Sequence, residues 1–177
     1  MEEYSLDCDE IYKITLISND GEEYEIEQKK CSISEYIDTM VTLDTQVKTI
    51  PINVSGKLLE LIVKFMKFYS ERDDHNFHRI QKPVPKNFHE CKFIHDDREN
   101  VFDIPFYTEL MDNFDSSSLI ELIRIVNYLS ISPLLELICA KVANIIRDKT
   151  EEEQKRFLEI NDSDYVEMKK ANNWVNK

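Results

Sequence analysis

Residues 118–150 read SLIELIRIVNYLSISPLLELICAKVANIIRDKT. Ser118 followed by Glu121 is a capping box at the head of a helix that ends near Asn127-Tyr128. Ser132-Pro133 then supplies an N-cap with proline in the first turn of a second helix. Leu119, Ile120, Leu122, Ile123, Ile125 and Val126 cover more than one face of the first, and the second carries an equally broad apolar set. Helices apolar on more than one side belong at the centre of a domain. The stretch therefore predicts a buried helical pair around which the rest of the chain is arranged.

Upstream, YKITLISNDGEEYEIE places a β-rich run, the turn Asn19-Asp20-Gly21-Glu22 and a second run in which Tyr24 and Ile26 alternate with glutamates, which is a hairpin. Ser32 and Glu35 form a further capping box, predicting a helix over 33–41. Val47 to Ile52 contains Pro51 and can be only a short edge strand. Over 57–69 apolar residues recur at helical spacing. The thirty residues 71–100 have no sustained period, contain Pro83 and Pro85, and are nearly balanced in charge, which predicts a long loop. Downstream, Thr150 and Glu153 head a short helix to about Leu158, and a last helix is expected from Tyr165 to Trp174. The order of elements is α+β, a small sheet packed on helices.

Composition narrows the function. The chain has 177 residues, 42% hydrophobic and 32% charged, enough for one domain of ordinary size with an extension. Thirty-five acids against 22 bases give a net charge of -13, which argues against nucleic acid and anionic membrane as partners, because phosphates are held by Lys and Arg. Two glycines, Gly21 and Gly56, cannot build a phosphate-cradling loop. Glu60, Lys64 and Lys67 interrupt the apolar run LLELIVKFMKF, so no membrane span is expected. The four cysteines are dispersed and the acidic start is unlike a secretory leader, which predicts reduced thiols in the cytoplasm or nucleus. No acid/base pair or nucleophile motif is visible, and no cofactor is expected.

At this point SNDGEEYEI, FDIPFYTELM, LIELIRIVNYLSI, LLELICAKVANIIRDKT, EEEQKRFLEIND and KANNW, in this order and spacing, resemble the Skp adaptor family of cullin-RING ubiquitin ligases. The resemblance implies a BTB/POZ domain over 11–147, after an acidic tail at 1–10 and with the long loop at 71–100. It implies a helical extension for F-box binding over 148–177. It implies no chemistry of the chain's own: a cullin would dock at Asn127 and Tyr128, bringing a RING subunit indirectly. F-box receptors would contact Val142, Ile146, Phe157, Ile160 and Trp174. Departures from the family pattern are the long central loop, Glu151 in place of a proline, and a shortened last helix.

Two rivals carry their own tests. A self-associating BTB scaffold without a cullin would use apolar residues near the small sheet such as Leu16 or Ile52, and a free adaptor could also form a weak homodimer. A metal regulator would use the histidine loop, in which His75, His78, His89 and Cys91 are the weak candidate ligands, although their spacing matches no standard zinc site.

Overall fold

A computed structural model gives the fold and describes residues 12–71, 76–95, 101–102, 104–112 and 114–171. The hairpin forms as read. Strand β1 (Lys13–Ile17) pairs antiparallel with β2 (Glu23–Glu27), Leu16 lies opposite Tyr24, and Gly21 takes the φ of +84° that the turn requires. Strand β3 (Thr49–Pro51) lies parallel to β1 at the sheet edge, where proline's missing N–H removes no central ladder bond. Leu16 and Ile52 are 0% and 2% exposed. The expectation that they lie on an association surface is therefore corrected: they face the helices and form core.

Helix α1 (Gln28–Cys31) leads into α2 (Glu35–Leu43), and the predicted cap at Ser32 is displaced to Ser34. The Ser34 hydroxyl accepts the Ile37 N–H at 3.3 Å and donates to the buried Leu129 carbonyl at 2.6 Å. A tertiary acceptor thus chooses between two serines. Helix α3 (Gly56–Tyr69) is capped from a distance: Asp20, in the hairpin turn, accepts the Gly56 N–H at 2.9 and 3.1 Å. Gly56 permits that approach, since a Cβ there would come within 2.8 Å of the Glu22 side chain.

The largest correction falls on 71–100. Its described part, together with the two residues that follow it, forms a small antiparallel sheet in the order β4 (Arg79–Ile80), β5 (Phe93–Ile94), β6 (Val101–Phe102), with a 3-10 turn at Phe88–Glu90. Phe77, Ile80, Phe88, Cys91 and Phe93 are buried and join the main core. The rings of Phe77 and Phe93 lie 4.9 and 5.1 Å from that of Tyr107, which also meets Phe65 of α3 at 5.6 Å. The sequence hides this because strands of two residues are too short to show an alternation.

Helix α4 (Pro105–Leu110) carries Tyr107. In α5 (Ser116–Tyr128) the cap is Asp115, which accepts the Ser118 N–H at 2.8 Å, so Ser118 sits inside the helix rather than at its head. Helix α6 (Ser132–Ile146) has Pro133 in its first turn, but Ile131 rather than Ser132 is its N-cap residue. The turn between α5 and α6 puts Ser130 at φ 54°, a conformation uncommon for a residue with a Cβ. Helix α7 (Glu151–Phe157) has the expected capping box from Thr150 and Glu153. Helix α8 (Asp162–Ala171) begins earlier than predicted because Asn161 accepts the Asp164 N–H at 2.9 Å. Among the described residues, no helix is long and apolar enough to cross a membrane.

Candidate functional site

The end of α5 builds one candidate surface. Leu119, Leu122, Ile125 and Val126 hold the helix in the core, while Asn127 and Tyr128 emerge from it exposed. The Tyr128 ring is 54% exposed and packs on Tyr36 of α2, with centroids 4.7 Å apart and planes tilted by 44°. A hydrogen bond with the Tyr36 side chain, then partial desolvation, raises the Tyr128 phenol above its ordinary range, so it is neutral and able to donate at physiological pH. Beside it lies a cleft of about 500 Å³ lined by Pro51, Asn53, Glu121, Arg124, Ile125 and Tyr128. A ring with an apolar face, a hydroxyl and an adjoining cleft suits a protein anchor. Sequence reasoning found Asn127 and Tyr128 but missed Tyr36, Pro51 and Arg124. Pro51 reaches this place because β3 lies parallel to β1, a pairing that no local pattern announces.

The second surface runs through α6, α7 and α8. Val142 is 7% exposed, so in the free chain it is mostly core and offers only an edge. Ile146, Phe157 and Ile160 are half-buried, and Phe157 and Ile146 pack against the core. The Gln154 amide donates to the Ile146 carbonyl at 3.1 Å and the Lys149 carbonyl at 3.0 Å, fixing α7 to the end of α6. Lys155 bridges Asp162 at 2.9 Å and Glu151 at 3.4 Å. Arg124, which lines the Tyr128 cleft, reaches Glu159 at 3.1 Å in the turn before α8. The described side chains of α8 are all exposed, including Val166. Trp174 lies outside the described residues.

A strap from the inserted sheet lies along the flank of α6. Lys82 stands 3.6 Å from Glu136, and the Asn144 amide donates to the Pro85 and Lys86 carbonyls at 2.7 and 2.9 Å. Arg147 donates to the Val84 carbonyl, and Lys141 sits over the Phe88 ring at 4.7 Å. Nothing in the sequence pointed to this docking.

The candidate metal ligands are not brought together. His78 and His89 are exposed, with His78 stacked 5.8 Å from His95 and His89 3.3 Å from Asp112, whereas Cys91 is buried. His75 lies outside the described residues. Among the described residues no three His, Cys, Asp or Glu side chains are placed to hold an ion.

The family model described as "Skp1 family, tetramerisation domain" matches residues 12–71, and "Skp1 family, dimerisation domain" matches 132–175, leaving 72–131 matched by neither. The chain is 30% identical over 167 residues to SCF ubiquitin ligase complex protein SKP1a of Dictyostelium discoideum, covering 91% of this chain and 94% of that one. It is 28% identical over 168 residues to SKP1-like protein 14 of Arabidopsis thaliana, covering 92% and 96%.

Proposed function

Since the chain belongs to the Skp1 family, we propose that it is a non-catalytic adaptor of an SCF-type ubiquitin ligase, bridging a cullin and F-box substrate receptors in the cytoplasm and nucleus. The cullin docks on the end of α5, around Asn127 and Tyr128, and brings the RING subunit with it. Receptors dock on α6 to α8, using Ile146, Phe157, Ile160 and the edge of Val142, with Trp174 beyond. The adaptor contributes rigidity and distance rather than bond-making.

The observation that carries the reading is Tyr128. A large aromatic ring stays exposed at the end of a helix whose apolar residues are otherwise buried, beside a cleft a partner side chain can fill. Electrostatics suit a protein partner as well, because an acidic surface steers basic patches and repels phosphate backbones. The self-associating scaffold has no comparable support, since the residues it would use at the sheet are core.

The test is binding of purified full-length protein to an amino-terminal cullin fragment and, separately, to an F-box fragment. Tyr128→Ala is expected to weaken the first and spare the second, whereas ending the chain at Asp148 does the reverse. If the folded wild type binds neither fragment, the adaptor reading is wrong.

A further inference from the structure

The two proposed surfaces share one side chain. Arg124 stands four residues before Tyr128 on α5 and lines the same cleft, with Glu121 three residues further back on that wall. Its guanidinium also reaches the Glu159 carboxylate at 3.1 Å, 35 residues away in the turn between α7 and α8. Phe157 and Ile160, which the receptor would use, flank Glu159 in sequence. The Ile160 N–H closes that turn by donating to the Lys155 carbonyl at 3.0 Å, and Glu159 sits in it at φ 55°, a conformation uncommon for a residue with a Cβ. Lys155 clasps Asp162 across the same turn at 2.9 Å. Arg124 is thus the point at which a docking site on α5 meets a docking site on α7 and α8.

Resting on the adaptor reading, we propose that Arg124 is a positioning residue that couples the two surfaces, so that a receptor on α7 and α8 readies the cleft for the cullin. In the free chain the pair is loose: the Arg124 and Glu159 side chains are 70% and 48% exposed, and an exposed pair gains little against water and side-chain entropy. Released from Glu159, the guanidinium has Glu121 as a neighbour on its own helix and can turn along the cleft wall. A receptor covering Phe157 and Ile160 fixes the turn and removes water from around Glu159. The attraction rises as the local dielectric falls, and Arg124 is held in one place. The cullin then meets a wall already ordered and is spared the cost of immobilising a long side chain. That cost corresponds to about two- to tenfold in affinity, and by linkage the cullin improves receptor binding by the same factor.

Calorimetry on the full-length protein reads the coupling as a ratio of affinities. An amino-terminal cullin fragment is titrated into the protein alone and into the protein saturated with an F-box fragment. The wild type is expected to bind the cullin fragment about threefold more tightly with the F-box fragment in place. Glu159→Gln and Arg124→Gln should each bring that ratio to one, whatever they do to the affinities themselves. Arg124→Glu combined with Glu159→Arg restores a pair of opposite sense and should recover the ratio in part, a rescue that mere damage to either surface does not give. Nuclear spin relaxation at Arg124 Nε should show the side chain restricted on addition of the F-box fragment to wild type, and unrestricted in Glu159→Gln. A wild-type ratio of one refutes the coupling and leaves the adaptor reading intact. A ratio above one that survives Glu159→Gln also refutes it, since the partners then communicate by another route, and so does failure of the charge swap to rescue. If neither fragment binds the folded wild type, the adaptor reading falls and the coupling with it.

Discussion

Replacing Asn144 by alanine removes one side chain that makes two bonds, 2.7 Å to the Pro85 carbonyl and 2.9 Å to the Lys86 carbonyl. A hydrogen bond contributes about 1 kcal/mol net, and both carbonyls lie near enough to the surface for water to replace the amide in part. Asn144→Ala should therefore destabilise by about 1 to 2 kcal/mol. For a chain of this size that lowers the melting temperature by roughly 3 to 6 °C. The loss should also be local. The Gln81 N–H bonds the Lys92 carbonyl at 2.9 Å and the Cys91 N–H bonds the Phe88 carbonyl at 3.1 Å, so these amides report on the two ends of the strap. Hydrogen exchange at both should accelerate about tenfold, while the amides of β1 change only by the global amount. Asn127→Ala, exposed and far from the strap, serves as the control and should stay within about 0.5 kcal/mol of wild type. If Asn144→Ala melts like the wild type and exchange at Gln81 and Cys91 is unchanged, the strap is not held as described.

Three further expectations concern separate parts of the molecule. Tyr128→Ala should weaken cullin binding about tenfold or more by titration calorimetry, with Tyr128→Phe in between because it keeps the ring on Tyr36 and loses the hydroxyl; equal binding by all three excludes this face. Among the described cysteines, iodoacetamide at neutral pH should modify exposed Cys139 well before Cys31, whose thiol is pushed up to about 12 by burial first and by Asp38 second; mass spectrometry showing Cys31 faster would contradict the packing. Bonds from the Thr150 backbone N–H, then its side chain, hold the Glu153 carboxyl below its ordinary 4.5. That cap is therefore fully effective above the ordinary glutamate range and is lost as pH falls through the lower folded value. In an NMR titration the Glu153 midpoint should lie below 4.5 in the wild type and move up in Thr150→Ala, and identical midpoints would show that the capping box does not form.

What the sequence revealed follows the range of the interactions involved. The hairpin, α3 and the Thr150 cap were legible because each is decided within a few residues by turn chemistry or periodicity. Caps were misplaced where a neighbour outside the local pattern intervened: Ser34 rather than Ser32 because Leu129 offers a buried carbonyl, and Asp115 rather than Ser118 because a carboxylate three residues upstream takes the N–H. The inserted sheet was illegible for a different reason. Its core residues come from strands of two residues and from the irregular segments beside them, and the rings of Phe77 and Phe93 pack on Tyr107, presented by a later helix. Of the candidate sites, Asn127 and Tyr128 emerged through family likeness and are exposed, but the cleft beside them is completed by Pro51 and Asn53, which lie far earlier in the chain. Val142 shows the opposite limit, since periodicity cannot tell a core position from one that shows a partner only its edge.

The 2.6 Å bond from the Ser34 hydroxyl to the Leu129 carbonyl joins residues 95 apart, close in sequence to Tyr36 and Tyr128, whose tilted rings pack together. During synthesis the amino-terminal hairpin, α2 and α3 leave the ribosome long before Leu129 does, and until then Tyr36 has no ring to rest on and Ser34 no carbonyl to meet. The proposed cullin face consequently comes into being late, once the nascent chain has released α5. A ribosome-bound fragment that stops short of this helix would display the sheet and α3 yet be unable to recruit a scaffold. On the adaptor reading, assembly would then be confined to chains whose central helices are already made, a form of proofreading by order of emergence.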